Sequence, residues 1–222
     1  MSEVIVQSTE IVTLLGAAPV AGPVLDESLG LAPTLIAADG GADLALRLGH
    51  MPRAVIGDLD SLSDQARARI PAGRLHRITE QDSTDFDKAL RHIAAPLVLA
   101  VGFTGARLDH ELAVYNALVR QAGPPVIVVG EHDICLHAPA RLRLDLPLGT
   151  RVSLFPMAAV AGRSTGLRWP IEGLAFAPDG RVGTSNMATG GPVDLKMDGA
   201  GMLAILPRAQ IRAAIRGLLD DG

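Results

Sequence analysis

Two acidic clusters constrain this chain most: Gly57-Asp58-Leu59-Asp60-Ser61 and Gln81-Asp82-Ser83-Thr84-Asp85-Phe86-Asp87-Lys88-Ala89-Leu90. The first follows Ala54-Val55-Ile56, an apolar run that reads as a buried strand. Asp58 and Asp60 are then expected at its carboxyl end, two residues apart in extended chain and facing one space. In the second cluster Phe86, Ala89, Leu90 and Ile93 form an apolar stripe at helical spacing, which puts Asp82 and Asp85 three apart in the first turn of a helix. Carboxylates gathered this closely repel. A hard divalent cation with oxygen ligands offsets that repulsion, and Mg²⁺ usually keeps several waters and is completed by substrate phosphates. Acids also favour helix starts because free N–H groups and the helix dipole welcome them, so Asp82 and Asp85 alone do not decide between the two readings.

The chain is long enough for one large domain or two modest ones, and its 48% hydrophobic content supplies a sizeable core. A net charge of −4 with no Lys/Arg run argues against a nucleic-acid partner. The sole cysteine, Cys135, rules out an intramolecular disulfide and a Cys-based zinc cluster, and its apolar surroundings imply a buried, inert thiol. Met1-Ser2-Glu3 lacks a basic start and Glu10 interrupts the apolar run that ends at Leu15. Neither a signal peptide nor a membrane span is expected, and the expected address is the cytoplasm.

As far as about His137 the chain alternates strand-like and helix-like segments. Strands are expected at Glu10 to Leu15, Thr34 to Ala38, Ala54 to Ile56, Leu97 to Val101 and Val126 to Val129. Helices are expected around Asp26, after Asp39-Gly40-Gly41-Ala42 with Leu44 and Leu48 buried and Gly49 as the stop, and from Glu111 to Gln121. This alternation implies a mostly parallel sheet covered on both faces, an α/β/α layering. Beyond His137, segments such as Arg141 to Leu146, Arg151 to Leu154 and Val193 to Met197 alternate polar and apolar with period two, which is the pattern of an antiparallel β-sandwich. The expected organisation is an α/β domain over 1–137 and a β-domain over 138–222, ending in a helix from Gln210 to Leu219.

Ligands of parallel α/β sheets bind beyond the carboxyl ends of the strands. Four motifs converge there: Asp39-Gly40-Gly41, the Asp58/Asp60 cluster, Asp82 to Asp85, and Gly102-Phe103-Thr104-Gly105-Ala106-Arg107-Leu108-Asp109-His110. In the last, glycines let backbone N–H groups approach an anion, the helix start attracts phosphate, and Arg107 can fork onto phosphate oxygens. The sequence has no Gly-x4-Gly-Lys-Ser/Thr run, so it is not a P-loop protein.

In this order the motifs resemble those of the thiamine pyrophosphokinase (thiamine diphosphokinase) family over nearly the whole chain. The correspondence rests on Asp39-Gly40-Gly41-Ala42, Gly57-Asp58-Leu59-Asp60-Ser61, Asp82-Ser83-Thr84-Asp85, Thr104-Gly105-Ala106-Arg107-Leu108-Asp109-His110, Gly166-Leu167-Arg168-Trp169 and Thr184-Ser185-Asn186. The resemblance implies Mg²⁺-dependent transfer of a pyrophosphoryl group from ATP to the hydroxyl of thiamine. It implies catalytic roles for Asp58, Asp60, Asp85, Arg107 and Asp109, with Asp58, Asp60, Asp82 and Asp85 around the metal. ATP would meet Asp39, Gly40, Gly41, Asp82, Thr84, Thr104, Gly105 and Arg107. Trp169, Ser185 and Asn186 would hold thiamine, Trp169 by stacking on the flat cation, and in the family these residues reach the partner subunit's site, which implies a homodimer with shared active sites.

Two departures stand out. Gln81 occupies the place where many bacterial relatives have Lys, so a phosphate-facing cation is either missing or supplied by Arg107 or Lys88, and Ala106 stands where a second Gly is common. A strand followed by Asp-x-Asp also occurs in haloacid-dehalogenase-type phosphatases, but these need a later Lys and a strand-borne acidic pair, and the only Asp-Asp here, Asp220-Asp221, lies in the tail. A nucleotide- or thiamine-sensing module on the same fold is the non-catalytic alternative.

Overall fold

The computed structural model describes residues 3–80, 82–120 and 123–220. The sequence readings that fall on Gln81, Gln121 and Asp221 therefore lie outside the described residues. The chain divides into two compact units, Met1–Ala117 with Gln121–Glu131, and Leu118–Arg120 with His132–Gly222.

The first unit contains β1 (Val6–Gln7), β2 (Val12–Leu15), α1 (Gly22–Leu31), β3 (Thr34–Ala38), α2 (Gly41–Arg47), β4 (Ala54–Gly57), α3 (Asp64–Arg69), β5 (Leu75–Arg77), α4 (Asp85–Arg91), β6 (Ile93–Ala94), β7 (Val98–Val101), all but the last three residues of α5 (Leu108–Arg120), and β8 (Val126–Val129). Six of its strands lie in the order β8-β7-β2-β3-β4-β5, and every pairing among them is parallel. Each residue of β2, β4, β7 and β8 is buried. A strand buried on both sides needs cover on both faces of its sheet, which the crossover helices provide. From β2 the chain winds outward to β5, then returns to β7 on the other side of β2. The switch point therefore lies between β2 and β7, and the loops after β2, β3, β4 and β7 open on one edge.

Several details differ from the sequence expectation; the helix expected from Glu111, for one, starts at Leu108. The strand expected from Glu10 starts at Val12, because Ser8 Oγ donates to the Glu10 carbonyl and accepts from Glu10 N, closing a local turn. Leu48 is exposed, since it is the C-cap of α2 and lies past the turn that faces the core. Helix α4 begins at Asp85 and leaves Asp82 outside it, because Thr84 caps the helix by accepting from Asp87 N. The glycine of Asp39-Gly40-Gly41 that limits packing is Gly41, where an added Cβ would lie 2.2 Å from the Leu15 carbonyl oxygen.

The second unit contains β9 (Asp133–His137), β10 (Arg141–Leu146), β11 (Arg151–Pro156), β12 (Val160–Thr165), β13 (Ala175–Phe176), β14 (Gly183–Met187), β15 (Gly191–Met197), β16 (Met202–Pro207) and α6 (Ile211–Leu219). Its strands pair antiparallel in two sets, β14-β11-β16-β9 and β10-β15-β12-β13. Strand β10 alternates exposed and buried without exception, as its sequence period requires. The two sets face one another: the space at Gly183 of β14 is bounded by Leu154 of β11 and the ring of Phe176 of β13. Helix α6 lies on β10, with Gly217 against the Arg143 carbonyl. Cys135 is buried, and burial pushes its thiol up to about 12, so it is an inert core residue.

Two stability tests follow. Gly41→Ala should destabilise the protein by about 1–3 kcal/mol, because backbone must move to admit the methyl; chemical denaturation measures it. His137 Nε2 accepts from Gly201 N at 3.0 Å, and burial holds this imidazole below its ordinary pKa. Its contribution is therefore present above the unfolded-chain value near 6.5 and is lost as pH falls through the depressed folded value. Thermal melts should fall with acidification in that window, and His137→Gln should flatten the fall.

Candidate active site

The site is built at the carboxyl edge of the parallel sheet. Asp39 directly follows β3 in a left-handed conformation, φ 42°, and its backbone N donates to the Ile56 carbonyl at 3.1 Å. Its side chain lies over Gly57, where an added Cβ would come within 2.8 Å of the Asp39 Cβ. Gly57 thus exists to let β3 and β4 bring Asp39 beside the Asp58 segment. The chain then turns left-handed at Leu59, φ 63°, whose side chain is buried among Val55, Leu62 and Ile70. Asp58 and Asp60 consequently do not lie in extended chain; the buried Leu59 between them bends the backbone, and Asp60 N donates to Asp58 Oδ1 at 3.2 Å.

One carboxylate oxygen each from Asp39, Asp58 and Asp60 falls within 4.8 Å of the others. Asp39 is 2% exposed. Its Oδ2 accepts from Ser61 N at 3.2 Å, while its buried Oδ1 has no hydrogen-bond partner. Burial pushes the Asp39 carboxyl above its ordinary pKa despite the Ser61 bond, and repulsion from Asp58 and Asp60 adds to the rise. An orphaned acceptor in a converging set of oxygen donors is the environment a hard cation satisfies.

Lys88 brings the second acidic cluster to the first. Its ammonium, on a side chain only 3% exposed, donates to Asp58 Oδ2 at 2.9 Å and to Asp85 Oδ1 at 3.2 Å. Burial opposes its charge, but the two carboxylates outweigh that and raise its pKa. The same bond holds the Asp58 carboxyl down to about 2, against burial. Asp85 is pushed up, chiefly by burial and then by repulsion from Asp39 and Asp58, with Lys88 opposing. Asp85 thus joins the cluster through Lys88, whereas Asp82 is exposed outside α4 and Thr84 serves as its cap. The approach to α4 is fastened by Glu80, which accepts from Ser83 Oγ at 2.8 Å and pairs with Arg91 at 2.6 Å.

After β7 the loop over 102–107 packs on α4 through Phe103, whose ring meets Phe86 edge-on at 4.7 Å. Thr104 is half-buried. The backbone turns through Gly105, φ 78°, whose N–H donates to Glu111 Oε2 at 2.9 Å. Arg107 and Asp109 form an exposed pair at 2.7 Å, a contact that water competes with and that costs little to exchange. Gly40 is the N-cap of α2, with the Ser61 and Ala17 side chains beside it.

In the second unit Asn186 is a buried clamp. Its Oδ1 accepts from Trp169 N at 3.2 Å and from Met187 N at 2.8 Å, and its Nδ2 donates to the Trp169 carbonyl at 2.6 Å. Ser185 adopts φ 62° and its backbone N donates to Ser153 Oγ at 3.0 Å. Trp169 is 52% exposed.

Sequence reasoning underrated two residues. Asp39 was expected as a nucleotide contact but stands in the carboxylate cluster itself, and Lys88, read only as a possible cation source, links both acidic motifs. The signals were present: Asp39 ends the strand neighbouring β4, and Lys88 lies one helical turn beyond Asp85. Their convergence depends on strand order, which spacing does not encode.

Residues 25–128 match the thiamin pyrophosphokinase catalytic domain. Thiamine pyrophosphokinase 1 of Arabidopsis thaliana is 25% identical over 174 residues, covering 70% of this chain and 65% of that protein. Thiamin pyrophosphokinase 1 of Caenorhabditis elegans is 25% identical over 181 residues, covering 72% of this chain and 74% of its own. The matched region thus spans less than two thirds of the Arabidopsis protein and 61% of a rice relative. The fold matches thiamin pyrophosphokinase from Candida albicans with a TM-score of 0.74 at 14% identity, covering 91% of this chain and 92% of that one. With the yeast enzyme the TM-score is 0.72 at 17% identity, covering 98% and 94%. Among the described residues no helix is long and apolar enough to cross a membrane. The catalytic-domain match, the named relatives and the shared fold agree with the ordered motifs, and all indicate the thiamin pyrophosphokinase family.

Proposed function

We propose that this protein transfers the β,γ-pyrophosphoryl group of ATP to the hydroxyl of thiamine, releasing thiamine diphosphate and AMP. The thiamine oxygen forms a bond to the β-phosphorus as the bond from that phosphorus to the α,β-bridging oxygen breaks, and the hydroxyl proton is lost. The observation that carries the reading is the cluster of Asp39, Asp58 and Asp60, with its orphaned Asp39 Oδ1, at the carboxyl edge of the parallel sheet.

That donor set fits Mg²⁺, with Asp85 and Asp82 on the neighbouring segment as further oxygen donors. When bound there, Mg²⁺ would neutralise phosphate charge that these carboxylates by themselves repel. The chain's own residues supply position. Lys88 keeps Asp58 ionised and fastens α4 to the end of β4. Arg107 exchanges its exposed partner Asp109 for phosphate oxygens, to which its planar fork is matched. Thr104, Gly105, Gly40 and Gly41 frame the nucleotide. Such transfer asks mainly for alignment and charge stabilisation, so no strong base is required.

On this reading residues 1–137 hold ATP and metal, and 138–222 hold thiamine through Trp169, Ser185 and Asn186. These three serve the site of a partner subunit in a homodimer, and the enzyme works in the cytoplasm. The support is the family resemblance together with the exposed ring of Trp169 on a clamped backbone.

Two measurements test this. AMP release from ATP and Mg²⁺ should depend on thiamine and fall at least about 100-fold in Asp60→Asn; ADP or free phosphate as product, or thiamine binding without turnover, would overturn it. Trp169→Ala should weaken thiamine binding on the order of 10-fold, because ring stacking and cation–π attraction are lost, and leave ATP binding unchanged in titration calorimetry.

A further inference from the structure

The only tryptophan of the chain is already covered on one face. The Arg168 guanidinium carbon lies 4.9 Å from the centroid of the Trp169 ring, within the range in which the ring quadrupole attracts a cation. The main chain beneath this contact is held on every side. Arg168 N donates to the Met187 carbonyl at 2.8 Å, and both the N–H and the carbonyl of Trp169 are bonded to the buried Asn186 side chain. Leu167, which precedes the pair, is buried and bridges to Ala188. The Trp169 ring therefore projects from a fixed point with half of its surface open. Arg168, at the surface on a flexible stem, is the group free to leave.

Thiamine carries a permanent positive charge on a flat ring system. A second cation brought to the same ring meets Arg168 as a competitor for the quadrupole and as a like charge. We propose that Arg168 is a resident cap on Trp169, occupying the cation position in the ligand-free protein and swinging away when cationic thiamine stacks. Arg168 thus sets the affinity and selectivity of the stacking site: displacing it weakens every cationic aromatic ligand, and only one with further contacts overcomes the loss. The inference rests on the thiamine-binding role proposed for Trp169 and concerns a residue beside it that the proposed site does not include.

The test uses the full-length protein with thiamine as probe. Arg168→Met keeps the apolar stem and removes the charge, Arg168→Lys keeps the charge, and Trp169→Ala removes the platform. The single tryptophan makes the ring visible by fluorescence without labelling. Arg168→Met should tighten thiamine binding about 2- to 5-fold, the equivalent of one exposed cation–π contact, and should raise acrylamide quenching of Trp169 in the ligand-free protein. Arg168→Lys should stay near wild type in both. Unchanged or weaker thiamine binding in Arg168→Met, while Trp169→Ala still loses binding, overturns the cap and leaves the thiamine site standing. Unchanged binding in Trp169→Ala overturns the stacking site itself, and the cap with it.

Discussion

Mutual repulsion among clustered carboxylates, of which Asp39 is buried, is the constraint on which the first unit depends. Asp39, Asp58, Asp60 and Asp85 are drawn to one edge of the sheet, and one buried ammonium, that of Lys88, stands between the two acidic motifs. Removing one partner of a buried pair leaves an uncompensated charge, a cost of about 3–5 kcal/mol in general. Lys88 therefore organises the site as much as it neutralises it. It ties the first turn of α4 to the end of β4, and the edge-on contact of Phe86 with Phe103 joins the loop after β7 to the same helix. One residue's charge and one ring contact bring three loops into register.

The cluster is left incomplete by design. Lys88 engages Asp58 and Asp85, Ser61 engages one oxygen of Asp39, and the other Asp39 oxygen is buried without a partner. Such unmet acceptors are costly in a folded protein and persist where a ligand repays them. The left-handed backbones at Asp39 and Leu59 belong to the same account, since a non-glycine residue at positive φ is strained unless its surroundings enforce it. Both strained residues flank the point where Gly57 lets β3 and β4 approach. Strain, unmet polarity and close packing coincide at one place in the unit.

The second unit handles polarity differently. Its chemistry-bearing stretch is held by a single buried amide, Asn186, which binds both polar groups of the Trp169 main chain, while the aromatic ring itself stays outside. A rigid backbone under an exposed ring is the arrangement of a stacking platform, because no ordering cost falls on the main chain when a flat partner arrives.

The sequence by itself determined the kinds of structure. Apolar runs such as Val98 to Val101, flanked by helical segments, required parallel strands buried on both faces, and the period-two segment Arg141 to Leu146 required an antiparallel sheet with one dry face. It also marked the candidate site residues, because clustered Asp, turn glycines and a lone Trp are visible as types and spacings. Tertiary structure decided which of them meet. Asp39 joins Asp58 and Asp60 only because β3 and β4 are neighbours, Asp82 stays outside α4 because Thr84 caps the helix, and Lys88 reaches Asp58 across 30 positions of sequence. The physical reason is one of range. Periodicity, capping and turn chemistry act within a few residues and can be read along the chain, whereas strand order, burial of a charge and the desolvation that shifts a pKa arise only when distant segments exclude water together.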